Sequence, residues 1–248
     1  MTAEGDTMPI SLIRSAWAGS AKYGALVWSG DIVSTFECFR RQVQAGLNMA
    51  IAGIPWWTTD IGGFHGARTD DPDFHRLYIR WFEYGCFCPV MRLHGSRNPQ
   101  EGYGAEQIGS GSDNEIWSFG DKAYEISKKY IFLRERLRDY IRTQMKKAHE
   151  DGTPMMRPVF YDFPTDQESW NVEDAYLFGP DLYVAPVMED HVTEREVYLP
   201  DGTAWFNAWT GEKYEGGQNV TVAAPMDTIP VFVKEGADAE KLLNIFSE

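Results

Sequence analysis

From Ile10 to about Glu150, short apolar runs alternate with longer amphipathic stretches. Residues 11–15 (SLIRS) and 25–28 (ALVW) have the length and apolar character of buried strands. The second run, ALVWSGD, breaks off at Ser29, Gly30 and Asp31, so a carboxylate stands where a neutral turn residue would serve. Residues 34–50 place Phe36, Phe39, Val43 and Leu47 at helical spacing, and Ser34 with Glu37 three residues on reads as a capping box. Residues 50–57 (AIAGIPWW) predict the next strand. Asp71 and Pro72 open a predicted helix over 71–85, and residues 86–93 (CFCPVMRL) predict another strand. A polar loop over 94–115 follows, of a length usually reserved for functional or mobile segments. A long helical pattern then runs from about Ile116 to His149.

Repeated strand-then-helix units predict parallel strands with crossover helices, hence an α/β sheet or barrel over residues 1–150. From about Thr153 the texture changes. RPVFYDFP, AYLFGPDLYVAPV, REVYLPDG, TAWFNAWTGEKYEGG, NVTVAAPM and TIPVFVKEG are short runs punctuated by Gly, Pro, Asp and Asn. They predict an antiparallel β-sandwich domain over 151–248. There is no internal repeat and no low-complexity segment.

At 248 residues, 43% hydrophobic and 14% aromatic, the chain can bury a large core, which excludes a disordered or fibrous protein. Its net charge of −14 repels polyanions, so neither nucleic acid nor an anionic membrane surface is an expected partner. No run approaches the roughly 20 apolar residues that span a bilayer, and MTAEGDTMPIS lacks a signal pattern. A cytoplasmic protein is therefore expected. Cys38, Cys86 and Cys88 are too few and too oddly spaced for a disulfide framework, and buried thiols are expected.

In parallel α/β folds, functional side chains collect beyond the carboxyl ends of strands. Each strand-like run here ends on a strongly polar residue: Arg14, Asp31, Asp60, and Arg92 with His94. Singly, each has a plain structural explanation, as a turn aspartate, a rim salt bridge or a structural histidine. Together, on one rim and ringed by Trp28, Trp56, Trp57 and Phe64, they form a bowl suited to a neutral polyhydroxylated ligand. Carboxylates accept from sugar hydroxyls, Arg and His donate to them, and flat rings cover C–H faces. Glycoside cleavage needs one carboxyl to protonate the leaving oxygen and a second as nucleophile or base. A metal site built on Asp60, His65 and His94 is disfavoured, because the five histidines show neither HxH nor HExxH spacing. The glycine-rich 102–112 lacks a strand–GxGxxG–helix context, which argues against nucleotide binding. The basic stretch 128–147 reads as a solvated helix face, with Ile131, Leu133, Leu137 and Ile141 on its apolar side.

LIRSAWAGS, VWSGD, GIPWWTTDIGGF and PVMRLHG, in this order, resemble glycoside hydrolase family 31, the retaining α-glucosidases and α-xylosidases. RPVFYDFP and YLFGPDLYVAPV resemble the region after that family's barrel and the start of its C-terminal β-sandwich. The resemblance implies the second half of a (β/α)8 TIM barrel over 1–150, a β-domain over 151–248, no cofactor and an α-glycoside substrate. It implies that Asp31 is the general acid/base, protonating the departing oxygen and later deprotonating water. Trp28 would shape that position, and Arg14 would lie beside the catalytic carboxylates. Asp60 and His94 would hold sugar hydroxyls, Arg92 would order the carboxylates, and Phe64 would line the site. The family's nucleophile, an aspartate on an earlier strand, has no counterpart from Met1 to Ser11; Glu4 and Asp6 sit in a loop-like context. A half-barrel has unpaired edges. The expected partner is therefore a complementary barrel half, or other copies of the chain through those edges. A non-catalytic carbohydrate-binding remnant is the competing expectation.

Overall fold

The computed structural model describes residues 10–98, 112–236 and 238–247. Most of the 94–115 loop, including 102–111, lies outside the described residues, as do Glu4 and Asp6. Strands β1 (Ser11–Ile13), β2 (Ala25–Trp28) and β3 (Trp57–Thr58) form a parallel sheet in that order. Helix α1 (Phe36–Ile51) crosses between β2 and β3, burying Phe39, Val43 and Leu47 on the face the spacing predicts. Strand β4 (Ala67–Arg68), helix α2 (Pro72–Cys86) and strand β5 (Arg97–Asn98) make a further parallel unit. Proline at the first turn and the Asp71 side chain, which accepts from the Asp73 N–H, begin α2 as expected.

Four local expectations are corrected. The N-cap of α1 is Thr35, whose hydroxyl accepts from the Cys38 N–H, whereas the Ser34 hydroxyl is buried without a partner and Glu37 pairs with Arg41. Thr35→Ala is expected to cost about 1 kcal/mol in a denaturant titration, and Ser34→Ala nothing measurable. Helix α1 runs on into 50–57 as far as Ile51, and only Trp57–Thr58 of that segment is strand, because Pro55 carries no N–H for a ladder. Residues 87–93 form no strand: two tight turns follow α2, Pro89 lacks a donor, and in place of a ladder the backbone meets the neighbouring segments at single points, Val90 N–H to Trp57 C=O and Ile61 N–H to Arg92 C=O. The long helix is two, α3 (Gly120–Arg136) and α4 (Arg138–Glu150), jointed at Leu137.

The C-terminal part begins with β6 (Met156–Pro158), after which FYD continues as one helical turn, α5 (Val159–Asp162), rather than as strand. Strands β7 (Tyr176–Phe178), β8 (Leu182–Val184), β9 (Glu194–Leu199), β10 (Ala204–Asn207), β11 (Lys213–Glu215), β12 (Gln218–Ala223) and β13 (Val231–Lys234) follow. They close with α6 (Ala239–Ser247), a helix the strand pattern did not foreshadow. A six-stranded sheet, β11-β10-β13-β8-β7-β6, faces a β12-β9 ribbon, and every pairing is antiparallel. Alternation along β7 divides the core. Leu177 joins Tyr183, Trp205 and Phe232 under the ribbon, while Tyr176 and Phe178 join Trp81, Tyr84 and Phe87 from the α2 region. The sheet is thus buried on both faces, one of them against the helices of the first part.

Arginines fasten that contact. Arg80 of α2, 1% exposed, donates to the carbonyls of Val192, Ala224, Pro225 and Thr228 and pairs with Glu83 at 3.2 Å. Arg134 of α3 donates to the carbonyls of Cys86, Cys88 and Pro89, which holds the irregular segment in place. The three cysteines are buried thiols, and burial pushes Cys86 and Cys88 up to about 12. Among the described residues no helix is long and apolar enough to cross a membrane.

Candidate active site

The three parallel strands deliver their carboxyl ends to one rim. Arg14 follows β1, Asp31 lies three residues beyond β2, and Asp60 lies two beyond β3. The turn after β2 is anchored to the next strand's loop: Ser29 Oγ donates to Thr59 Oγ1 at 3.3 Å, and the Phe64 and His65 N–H groups donate to Ile32 C=O at 2.7 and 3.2 Å. Gly63 (φ +80°) makes this approach feasible, since a Cβ there would lie 2.7 Å from the Ser34 Cα.

Arg14 Nη2 donates to Asp31 Oδ2 at 2.6 Å, and the Asp31 side chain keeps 38% of its surface in solvent. Arg92 Nη1 donates to Asp60 Oδ1, and the Asp60 side chain is fully buried. Trp28 stands between the two pairs, with the Arg14 guanidinium 5.3 Å and the Arg92 guanidinium 6.0 Å from its ring centre. The rim therefore carries two carboxylate–arginine pairs that share one aromatic platform. Burial pushes the Asp60 carboxyl up; Arg92 and His94 pull it down, and Asp31 pushes it up again. Asp60 Oδ2 has no hydrogen-bond partner. Phe64 packs against His94, ring centres 5.5 Å apart, so the exposed imidazole stands over an apolar wall.

Arg14, Trp28, Asp31, Asp60, Phe64, Arg92 and His94 thus lie on one rim. Trp57 does not join them: it is 4% exposed and packs under α1, where its indole nitrogen would meet a Cβ on Gly46 at 2.7 Å. Sequence reasoning passed over Arg97, which is buried beneath the 60–64 loop; an arginine within a polar loop carries no signal of burial. Among the described residues no group of His, Cys, Asp and Glu is placed to hold a metal ion.

A parallel α/β rim bearing carboxylates, arginines, a histidine and aromatic walls, followed by an antiparallel β-domain, has the layout of barrel enzymes whose sites lie beyond the strand ends. The model of the glycosyl hydrolases family 31 TIM-barrel domain matches residues 1–144, and that of the family 31 C-terminal domain matches 152–237. The chain belongs to glycoside hydrolase family 31. It is 39% identical to an α-xylosidase of Saccharolobus solfataricus, covering 92% of this chain and 29% of that protein. It is 35% identical to α-glucosidase 2 of Bacillus thermoamyloliquefaciens, covering 92% of this chain and 27% of that protein. The crystal structure of a family 31 α-xylosidase from a soil metagenome, complexed with xylose, superposes with a TM-score of 0.90 at 52% identity, covering 98% of this chain and 37% of that one. The chain spans less than a third of the length of these two curated relatives.

Proposed function

We propose that residues 1–248 form the C-terminal part of a retaining α-xylosidase or α-glucosidase in which Asp31 is the general acid/base. The observation that carries this reading is the asymmetry of the two carboxylates. Asp31 is open to solvent and held by one arginine, as a group that exchanges protons with substrate and water must be. Asp60 is enclosed and bonded to Arg92, as a group that orders hydroxyls is. In this reading Asp31 gives its proton to the departing glycosidic oxygen while a nucleophilic carboxylate takes the anomeric carbon. It then removes a proton from the water that releases the sugar. Arg14 orients Asp31, and Trp28 fixes both guanidiniums. His94 and Arg92 donate to sugar hydroxyls, Phe64 covers a C–H face, and Asp60 Oδ2, which has no hydrogen-bond partner, accepts a hydroxyl.

The nucleophile is assigned to a barrel strand outside residues 1–248. β1 supports this: among the described residues it is an edge of a parallel sheet, and it and the residues flanking it expose Ile10, Leu12, Trp17 (83%) and Tyr23 (71%), a surface that further strands would cover. The purified 248-residue chain is expected to release no p-nitrophenol above blank from aryl α-xylosides or α-glucosides, the covalent route being unavailable to it. Robust turnover by this chain would overturn the division of the site. Xylose and glucose differ at the pocket by one hydroxymethyl group, a discrimination of about 1–3 kcal/mol. The ratio of kcat/KM for the two aryl glycosides, measured on a polypeptide carrying both barrel halves, decides between the two activities.

A further inference from the structure

We propose that Arg97 is a positioning residue that sets the 60–64 loop, and with it the sugar-facing placement of Asp60 and Phe64; this rests on the site reading above. Arg97 lies on β5 and is 1% exposed. Its Nη1 donates to Gly63 C=O at 2.8 Å, its Nη2 to Ile61 C=O at 3.3 Å, and its Nε to Asn114 Oδ1 at 2.8 Å. The guanidinium lies 4.6 Å from the centre of the Phe74 ring of α2. Its two loop contacts fall between Asp60 and Phe64, so the loop is gripped immediately after the one and immediately before the other.

The seat is built for this side chain. A Cβ on Gly95 would lie 2.5 Å from the Arg97 guanidinium carbon, and one on Gly62 would lie 3.2 Å from its Nη2. A buried guanidinium is costly, and an apolar side chain could fill the same space without that cost. What an apolar side chain cannot do is hold the Ile61 and Gly63 carbonyls in a fixed fork while anchored to α2 and to Asn114. The charge has a second consequence. The Asp60 carboxylate supports the buried Arg97 charge, which burial disfavours, and by reciprocity the guanidinium favours the Asp60 carboxylate, though burial, Arg92, His94 and Asp31 act on it more strongly.

The test uses the 248-residue chain labelled with 13C at aspartate carboxyls and 15N at amides, the Asp60 signal being identified by its loss in Asp60→Asn. Arg97→Gln is expected to raise the Asp60 titration midpoint. Arg97→Lys, which keeps a charge but not the fork, is expected to move the midpoint less and still to shift the amide signals of Ile61 to Phe64. Where the chain binds free xylose or glucose, Arg97→Lys is expected to weaken that binding on the order of tenfold. Asn114→Ala, which spares the arginine, should shift the same loop signals by a smaller amount. These two milder variants carry the test if Arg97→Gln does not fold. Folded variants whose loop amides and Asp60 midpoint match the parent would overturn the proposal. A parent chain that binds neither sugar would count against the functional reading, while the Asp60 and loop signals would still decide the role of Arg97.

Discussion

Asp31→Asn is expected to lower turnover of an unactivated α-linked disaccharide by about 10²–10⁴-fold, measured on a polypeptide joining residues 1–248 to a nucleophile-bearing barrel half. Asparagine preserves the shape at the end of the β2 turn and can still meet Arg14, so folding should be little changed. What disappears is the proton. A sugar leaving group is a poor alkoxide unless it is protonated as the bond breaks, so the loss falls on the first step. With a p-nitrophenyl glycoside the leaving phenolate is stable by itself, and that step should fall far less. The split between the two substrates is the signature. Hydrolysis of the glycosyl-enzyme, which Asp31 serves as base, is common to both substrates, so the split is read in kcat/KM. There an equal loss on both would indicate a disturbed pocket, and no loss on the disaccharide would remove Asp31 from the acid/base role. Asp60→Asn should show no such split, because Asp60 is bonded to Arg92 and enclosed, and removing it weakens binding of either substrate alike.

Much of this site was legible as a pattern of strand ends. An apolar run that breaks on a polar residue exposes where a parallel strand leaves the core, and Arg14, Asp31 and Asp60 all occupy such positions. Burial was harder to read. Residues 86–93 look like a strand because all but Arg92 are apolar, yet the carbonyls of Cys86, Cys88 and Pro89 are satisfied by Arg134 rather than by a ladder, and periodicity cannot separate the two. Trp57 looked like a pocket wall because its side of the sheet depends on where β3 begins, and the helix α1 runs into the segment assigned to it. Arg80 and Arg97 were invisible for a common reason. A charged residue on a helix or in a loop reads as solvated, and only tertiary carbonyls converging on it make burial tolerable.

Arg80→Ala is expected to cost about 3–5 kcal/mol in urea unfolding, because it removes one partner of a buried pair together with the donor to four carbonyls of the β-domain. Its dependence on pH tests the cause. Burial pushes the Glu83 carboxyl up to about 8, with Arg80 pulling against it. The unfolded chain releases that proton in the ordinary carboxylate range, so between there and about pH 8 the folded state binds more protons than the unfolded one. Stability of the parent should therefore fall as pH rises through that window and level off above it, and Glu83→Gln should flatten this component. Without Arg80 the largest offset to the buried carboxylate is gone and only Tyr130 and Lys129 still favour it, so Glu83 should keep its proton to higher pH and the decline should continue beyond 8. The cost of Arg80→Ala is then larger at pH 9 than at pH 5, and the double variant Arg80→Ala/Glu83→Gln should lose that difference. Parent and Glu83→Gln chains with parallel stability profiles from pH 5 to 9 would show that Glu83 does not titrate in the fold. The whole effect of Arg80 would then lie in the carbonyls it holds.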